Sequence, residues 1–109
     1  MKLADQHCVP AVTALANEAI EALLPQVPGW SVHDGVLLRR FALRDYHDTM
    51  AFVNALAWMT HNEDHHPELR VTYKDVEVRY DTHSVHGISH NDFICAARAS
   101  ALYAQRTGA

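Results

Sequence analysis

The apolar positions change period several times along the chain, and each change marks an element. Over residues 10–24, Val12, Leu15, Ala16, Ala19, Ile20 and Leu23 recur at helical spacing and form one apolar stripe. Pro10 suits a first helical turn, and Pro25 with Pro28-Gly29 ends the segment. Two short strands follow, over residues 30–33 and 36–43. Asp34-Gly35 lies between them, a strong two-residue hairpin signal. A second helix is predicted to start with Asp45 or Asp48 as N-cap and to run to about Asp64. Tyr46, Met50, Val53 and Ala57 make one apolar line along it, and Phe52, Leu56 and Met59 a second, so its buried face should be broad.

After Pro67 the period drops to two. Leu69, Val71, Tyr73, Val76, Val78 and Tyr80 share one face, while Arg70, Thr72, Glu77 and Arg79 take the other. This predicts a half-buried antiparallel hairpin over residues 68–73 and 76–81, turning at Lys74-Asp75. A last helix begins after Ser89, with Asp92 three residues on as a variant of the capping box. Phe93, Ala97, Ala101 and Leu102 supply its core side. Thr107-Gly108-Ala109 is expected to fray. The fold class is therefore α+β, a two-layer sandwich of order α-ββ-α-ββ-α: a four-stranded antiparallel sheet with helices on one face. All 109 residues are read as one domain.

Composition narrows the function classes. The net charge is −4 and the longest basic cluster is Arg39-Arg40, which disfavours nucleic acid and anionic membrane surfaces as partners. No apolar run approaches the ~18 residues a membrane helix needs. Cys8 and Cys95 form neither a C-x-x-C pair nor a disulfide framework, so the expected location is cytoplasmic.

Nine histidines are the unusual feature, and some of them gather. With the hairpin turning at Lys74-Asp75, Leu69 would face Tyr80, Pro67 would face Thr82 and His66 would face His83. Two distant segments then bring His65, His66 and His83 to one open end of the hairpin, beside the C-terminus of the second helix. His86 is a further candidate for the same site. His7, His33, His47 and His90 stand singly in polar surroundings and read as surface residues. For the clustered set, helix capping is a competing role. Zinc is disfavoured, because adjacent residues of an extended segment point to opposite sides.

The segment His61-Asn62-Glu63-Asp64-His65-His66-Pro67-Glu68, then Tyr73, Thr82-His83, Gly87 and Asp92, resembles the signature of pterin-4a-carbinolamine dehydratases. Leu23-Leu24-Pro25, Gly29-Trp30, Phe41 and Asp45-Tyr46 extend the resemblance over nearly the whole chain. It implies an enzyme that removes water from 4a-hydroxytetrahydropterin to give the quinonoid dihydropterin, recycling the cofactor of aromatic amino-acid hydroxylases. It implies an α+β sandwich, a homodimer or homotetramer, and no metal or organic cofactor. By the same resemblance His65 and His83 are general acids toward the departing hydroxyl. His66 helps bind the pterin and acts as base, and His61, Asp64 and Thr82 contact the ring. His61 stands where many members have glutamate, Leu69 where animal members have an aromatic residue, and Asp81 where they have serine. Asp92 is expected to cap the last helix rather than take part in chemistry. Two other readings remain: a dimerisation or regulatory binding protein, and a relative serving another pterin pathway such as molybdopterin.

Overall fold

A computed structural model describes residues 1–106, and the fraying expected of Thr107-Gly108-Ala109 lies outside them. Three helices, α1 (Asn17–Leu23), α2 (Tyr46–Glu63) and α3 (His90–Ala104), accompany four strands, β1 (Ser31–His33), β2 (Val36–Ala42), β3 (Glu68–Val71) and β4 (Asp75–Tyr80). The strands form one antiparallel sheet in the order β1-β2-β4-β3, so the second hairpin docks on β2 through β4 and leaves β3 at an edge. The predicted α+β class and element order hold. Asp34 and Gly35 both lie at positive φ, 51° and 75°, which is what a two-residue turn between twisted strands requires.

The sheet's inner face carries Leu37, Phe41, Val76, Val78 and Tyr80, all fully buried. Phe52 and Leu56 from α2, and Phe93, Ala96 and Ala99 from α3, cover it. Phe41 sits at the centre, its ring 4.9 Å from those of Phe52 and Tyr103 and 5.9 Å from that of Trp30.

Three local expectations are corrected. The first helix is shorter than its apolar stripe, because residues 10–16 run without helical structure and the Leu15 N–H donates to the Ile88 carbonyl at 2.8 Å. That tertiary bond competes with a segment containing β-branched Val12 and Thr13. Leu15, Ile20 and Leu23 still pack against the core, so the apolar side survives the loss of helix. On α2 only the Phe52, Leu56 and Met59 line is deeply buried; Tyr46 is half exposed and stacks on Tyr73, 5.9 Å away. In the second hairpin β3 and β4 pair Val71 with Val76 and Glu68 with Arg79, two residues out of the expected register. Thr72 and Asp75 close the turn, with the Thr72 N–H on the Asp75 carbonyl at 2.9 Å and the Thr72 hydroxyl on the Asp75 carboxylate at 2.7 Å. Asp75 itself belongs to the strand, where its carboxylate accepts from Arg40 at 2.7 Å. A shift of two keeps every side chain on its predicted face, which is why the alternation did not reveal it.

Two caps set the ends of α2. Asp45 is the N-cap, its Oδ1 accepting from the Asp48 N–H at 2.8 Å. Asp45→Ala should cost about 1 kcal/mol, read as a lower urea midpoint at unchanged m-value. At the other end Asp64 adopts the left-handed conformation at φ 51°, and its N–H and that of His65 return to the His61 and Thr60 carbonyls. The backbone thus caps the helix without the histidine side chains, and the chain reverses toward β3 through His65, His66 and Pro67.

Candidate active site

That reversal puts His65 at the open end of the sheet, beside the loop that leaves β4. Asp64, His65, His66, Asp81, Thr82, His83 and Ser84 line one open cleft of about 380 Å³. The three clustered histidines meet there as expected, but by a different route. Extended along the observed register, His66 is level with Asp81, not with His83. His83 follows Thr82, which bridges to Gly87 and starts a 3-10 turn over His83–Val85. Its side chain is 90% exposed, with Nε2 3.4 Å from Asp81 Oδ1. His66 is exposed as well.

His65 is held differently. Its side chain is only 13% exposed, and its Nε2 lies 2.5 Å from Oδ1 of the fully buried Asp92. The imidazole also stacks on the Tyr80 ring, with planes 8° apart and centroids 5.6 Å apart. A carboxylate only accepts, so the bond places a proton on Nε2 and leaves Nδ1 for exchange with a ligand. Burial pushes the Tyr80 phenol far above its ordinary value, so that ring supports the imidazole as a neutral surface.

Asp92 divides its two oxygens. Oδ1 holds His65, while Oδ2 accepts from the Ser89 backbone N–H and the Thr82 hydroxyl, each at 2.8 Å. The Ser89 bond is the capping arm expected at the start of α3. The histidine bond was not expected from the sequence: Asp92 is a cap and also the imidazole's partner. Thr82 lines the cleft, but its hydroxyl also lies 2.7 Å from the Ser89 hydroxyl, so its polar group is spent within this network. His61 is exposed on the last turn of α2 and does not line the cleft. His86 is exposed at φ 52° and also lies outside it. Tyr80 and Ser89 are supports that periodicity assigned to core and cap. Only the contact between β4 and the loop after α2 reveals what they hold.

Residues 13–102 match the family described as Pterin 4 alpha carbinolamine dehydratase. The chain belongs to this family. A "Putative pterin-4-alpha-carbinolamine dehydratase" of Stenotrophomonas maltophilia strain R551-3 is 53% identical over 108 residues, covering 94% of this chain and 93% of that one. A protein of the same description from Xanthomonas oryzae pv. oryzae strain MAFF 311018 is 51% identical, covering 94% and 92%. Among solved structures, a transcriptional coactivator/pterin dehydratase from Brucella melitensis superposes with a TM-score of 0.80 at 27% identity, over 84% of this chain and 99% of the other. A pterin dehydratase-like protein identified as a RuBisCO assembly factor in the alpha-carboxysome gives 0.59 at 26% identity, over 71% and 89%. The structures that resemble this chain thus include one described by a role other than catalysis. No helix among the described residues is long and apolar enough to cross a membrane.

Proposed function

We propose that this chain is a 4a-hydroxytetrahydrobiopterin dehydratase, producing the quinonoid dihydropterin and so recycling the cofactor of aromatic amino-acid hydroxylases. The observation that carries the reading is the buried Asp92 carboxylate 2.5 Å from the imidazole of His65 at the wall of the cleft. A carboxylate so placed fixes the ring's orientation and tautomer, as in other carboxylate–histidine pairs.

Dehydration breaks the C4a–O bond and forms the C4a=N5 double bond. The leaving hydroxyl takes a proton and departs as water, and N5 gives up its hydrogen. His65, through Nδ1, and His83 are the acids toward the hydroxyl. His66 binds the pterin and accepts the N5 proton. Histidine suits both tasks because it exchanges protons near neutral pH. Asp64, which lines the cleft, contributes to holding the ring, Thr82 acts chiefly by bracing Asp92, and His61, outside the cleft, is left without the ring contact expected of it. No metal or organic cofactor enters the chemistry.

The deciding experiment is decay of the pterin carbinolamine, followed by absorbance with purified protein. Acceleration that survives chelation is expected; a rate equal to the spontaneous one would overturn the reading. His66→Ala should raise KM several-fold with little change in kcat, the signature of lost uniform binding. Steady-state kinetics on that variant would show it.

The likeness to the RuBisCO assembly factor favours a second reading, a protein that acts by binding another protein. The same assay separates the two. We also expect a homodimer or homotetramer, since β3 presents an unpaired edge to solvent. Light scattering at micromolar concentration would test it.

A further inference from the structure

Cys8 and Cys95 stand 87 residues apart, yet their sulfurs are 3.5 Å from each other. Cys95 is fully buried on α3, one helical turn beyond Asp92, and Cys8 is half-buried on the N-terminal segment that crosses the helix. That crossing is fixed on both sides of Cys8. The Cys8 N–H donates to Glu63 Oε1 at 2.8 Å. Val9 and Asn91 exchange two hydrogen bonds, the Val9 N–H to Asn91 Oδ1 at 3.0 Å and Asn91 Nδ2 to the Val9 carbonyl at 2.7 Å. The Gln6 carbonyl accepts from Arg98 Nε at 2.9 Å. The Cys8 thiol adds a bond of its own, donating to the Asn91 carbonyl with its Sγ 3.6 Å away.

We infer that Cys8 and Cys95 form a reversible dithiol–disulfide site, oxidised by a low-molecular-weight disulfide of the glutathione class. Closing the pair needs the sulfurs to approach by about 1.5 Å, to the ~2.05 Å of a disulfide. Cys8 lies in neither helix nor strand and can supply that movement, whereas Cys95 is fixed in α3. The contact with Cys8 and burial push the Cys95 thiol far above its ordinary value, so the first attack falls to Cys8. The Cys8 thiolate attacks glutathione disulfide, forms a mixed disulfide and releases one glutathione thiolate. The Cys95 sulfur then attacks the Cys8 sulfur and breaks that mixed bond. The second glutathione thiolate leaves, and the proton from Cys95 goes to it. Two protein thiols lose two electrons, and one glutathione disulfide becomes two glutathione molecules.

The test uses the full chain in mixtures of glutathione and glutathione disulfide, read by thiol titration after acid quench and by intact mass. The oxidised chain should lose both thiols and a mass of two hydrogens, retain no glutathione, and recover fully in dithiothreitol. Its melting temperature should rise by at least about 5 °C, because an 87-residue loop is closed in the unfolded chain. Cys95→Ser should stop at the mixed disulfide on Cys8. In Cys8→Ser, Cys95 should react with glutathione disulfide at least about 10-fold more slowly than Cys8 does in Cys95→Ser. Three results would overturn the proposal: glutathione retained on Cys8 of the unsubstituted chain beside a free Cys95, a disulfide formed only in denaturant, or oxidation only between chains. Neither cysteine lines the cleft, so these outcomes are independent of the pterin reaction.

Discussion

Replacing His65 and His83 together by alanine is expected to lower kcat by about 10²–10⁴-fold, the range that positioned acid–base groups contribute. Each single replacement should lower it only in part, because the two imidazoles sit on different elements of one cleft and, in the proposed mechanism, either serves the departing hydroxyl. His65 stands on the turn after α2, and His83 on the loop after β4. Their environments also differ. His65 is braced by Asp92 and Tyr80, while His83 is 90% exposed with Asp81 3.4 Å away. The larger single loss should therefore come from His65→Ala, since the preorganised donor loses no orientation freedom in the reaction. Spontaneous loss of water sets the floor. His33→Ala and His47→Ala, both exposed and outside the cleft, serve as controls. Circular dichroism confirms folding, and a folded double variant with near-normal kcat would remove both histidines from the mechanism.

The second large effect falls on Asp92. Asp92→Ala should lower stability by about 3 kcal/mol, because a fully buried Ser89 N–H and the Thr82 hydroxyl lose an acceptor and α3 loses its reciprocal cap. Asp92→Asn separates structure from chemistry. Its amide oxygen can still accept from Ser89, but its NH₂ turned toward His65 would donate and force the opposite tautomer. Urea unfolding should then show most of the stability retained. Steady-state kinetics should show kcat reduced by about 10-fold or more with KM little changed. Equal kcat in Asp92→Asn and the parent would mean that the carboxylate serves the helix alone.

Much of the fold could be read from the sequence because it rests on local rules. Asp34-Gly35 specifies its turn by backbone conformation, Asp45 caps α2 by its own side chain, and the alternation from Leu69 to Tyr80 fixes which face of the hairpin is buried. The parts that could not be read depend on contacts between distant segments. Residues 10–16 have helical spacing, but the Ile88 carbonyl takes the Leu15 N–H. The register of β3 against β4 follows from Thr72 and Asp75 closing the turn, and a shift of two leaves no trace in the alternation. At the candidate site, the gathering of His65, His66 and His83 was legible from order and spacing. The bond from His65 to Asp92 was not, because an Asp three residues after Ser89 reads as a cap whether or not its second oxygen is in use. The approach of Cys8 to Cys95 is of the same kind, set by bonds from Cys8 and Val9 to the distant Glu63 and Asn91.

The shared carboxylate also makes one backbone proton a reporter. The Ser89 amide donates to the same Asp92 group that orients His65. An excursion that displaces the Asp92 carboxylate releases this amide and frees the imidazole together. Its hydrogen-exchange rate, followed residue by residue by nuclear magnetic resonance, therefore counts how often the cleft loses its working geometry while the rest of the chain stays folded. A ligand that binds only the assembled cleft should slow that single amide in proportion to its occupancy. Amides in the distal β1–β2 hairpin should keep their own pace.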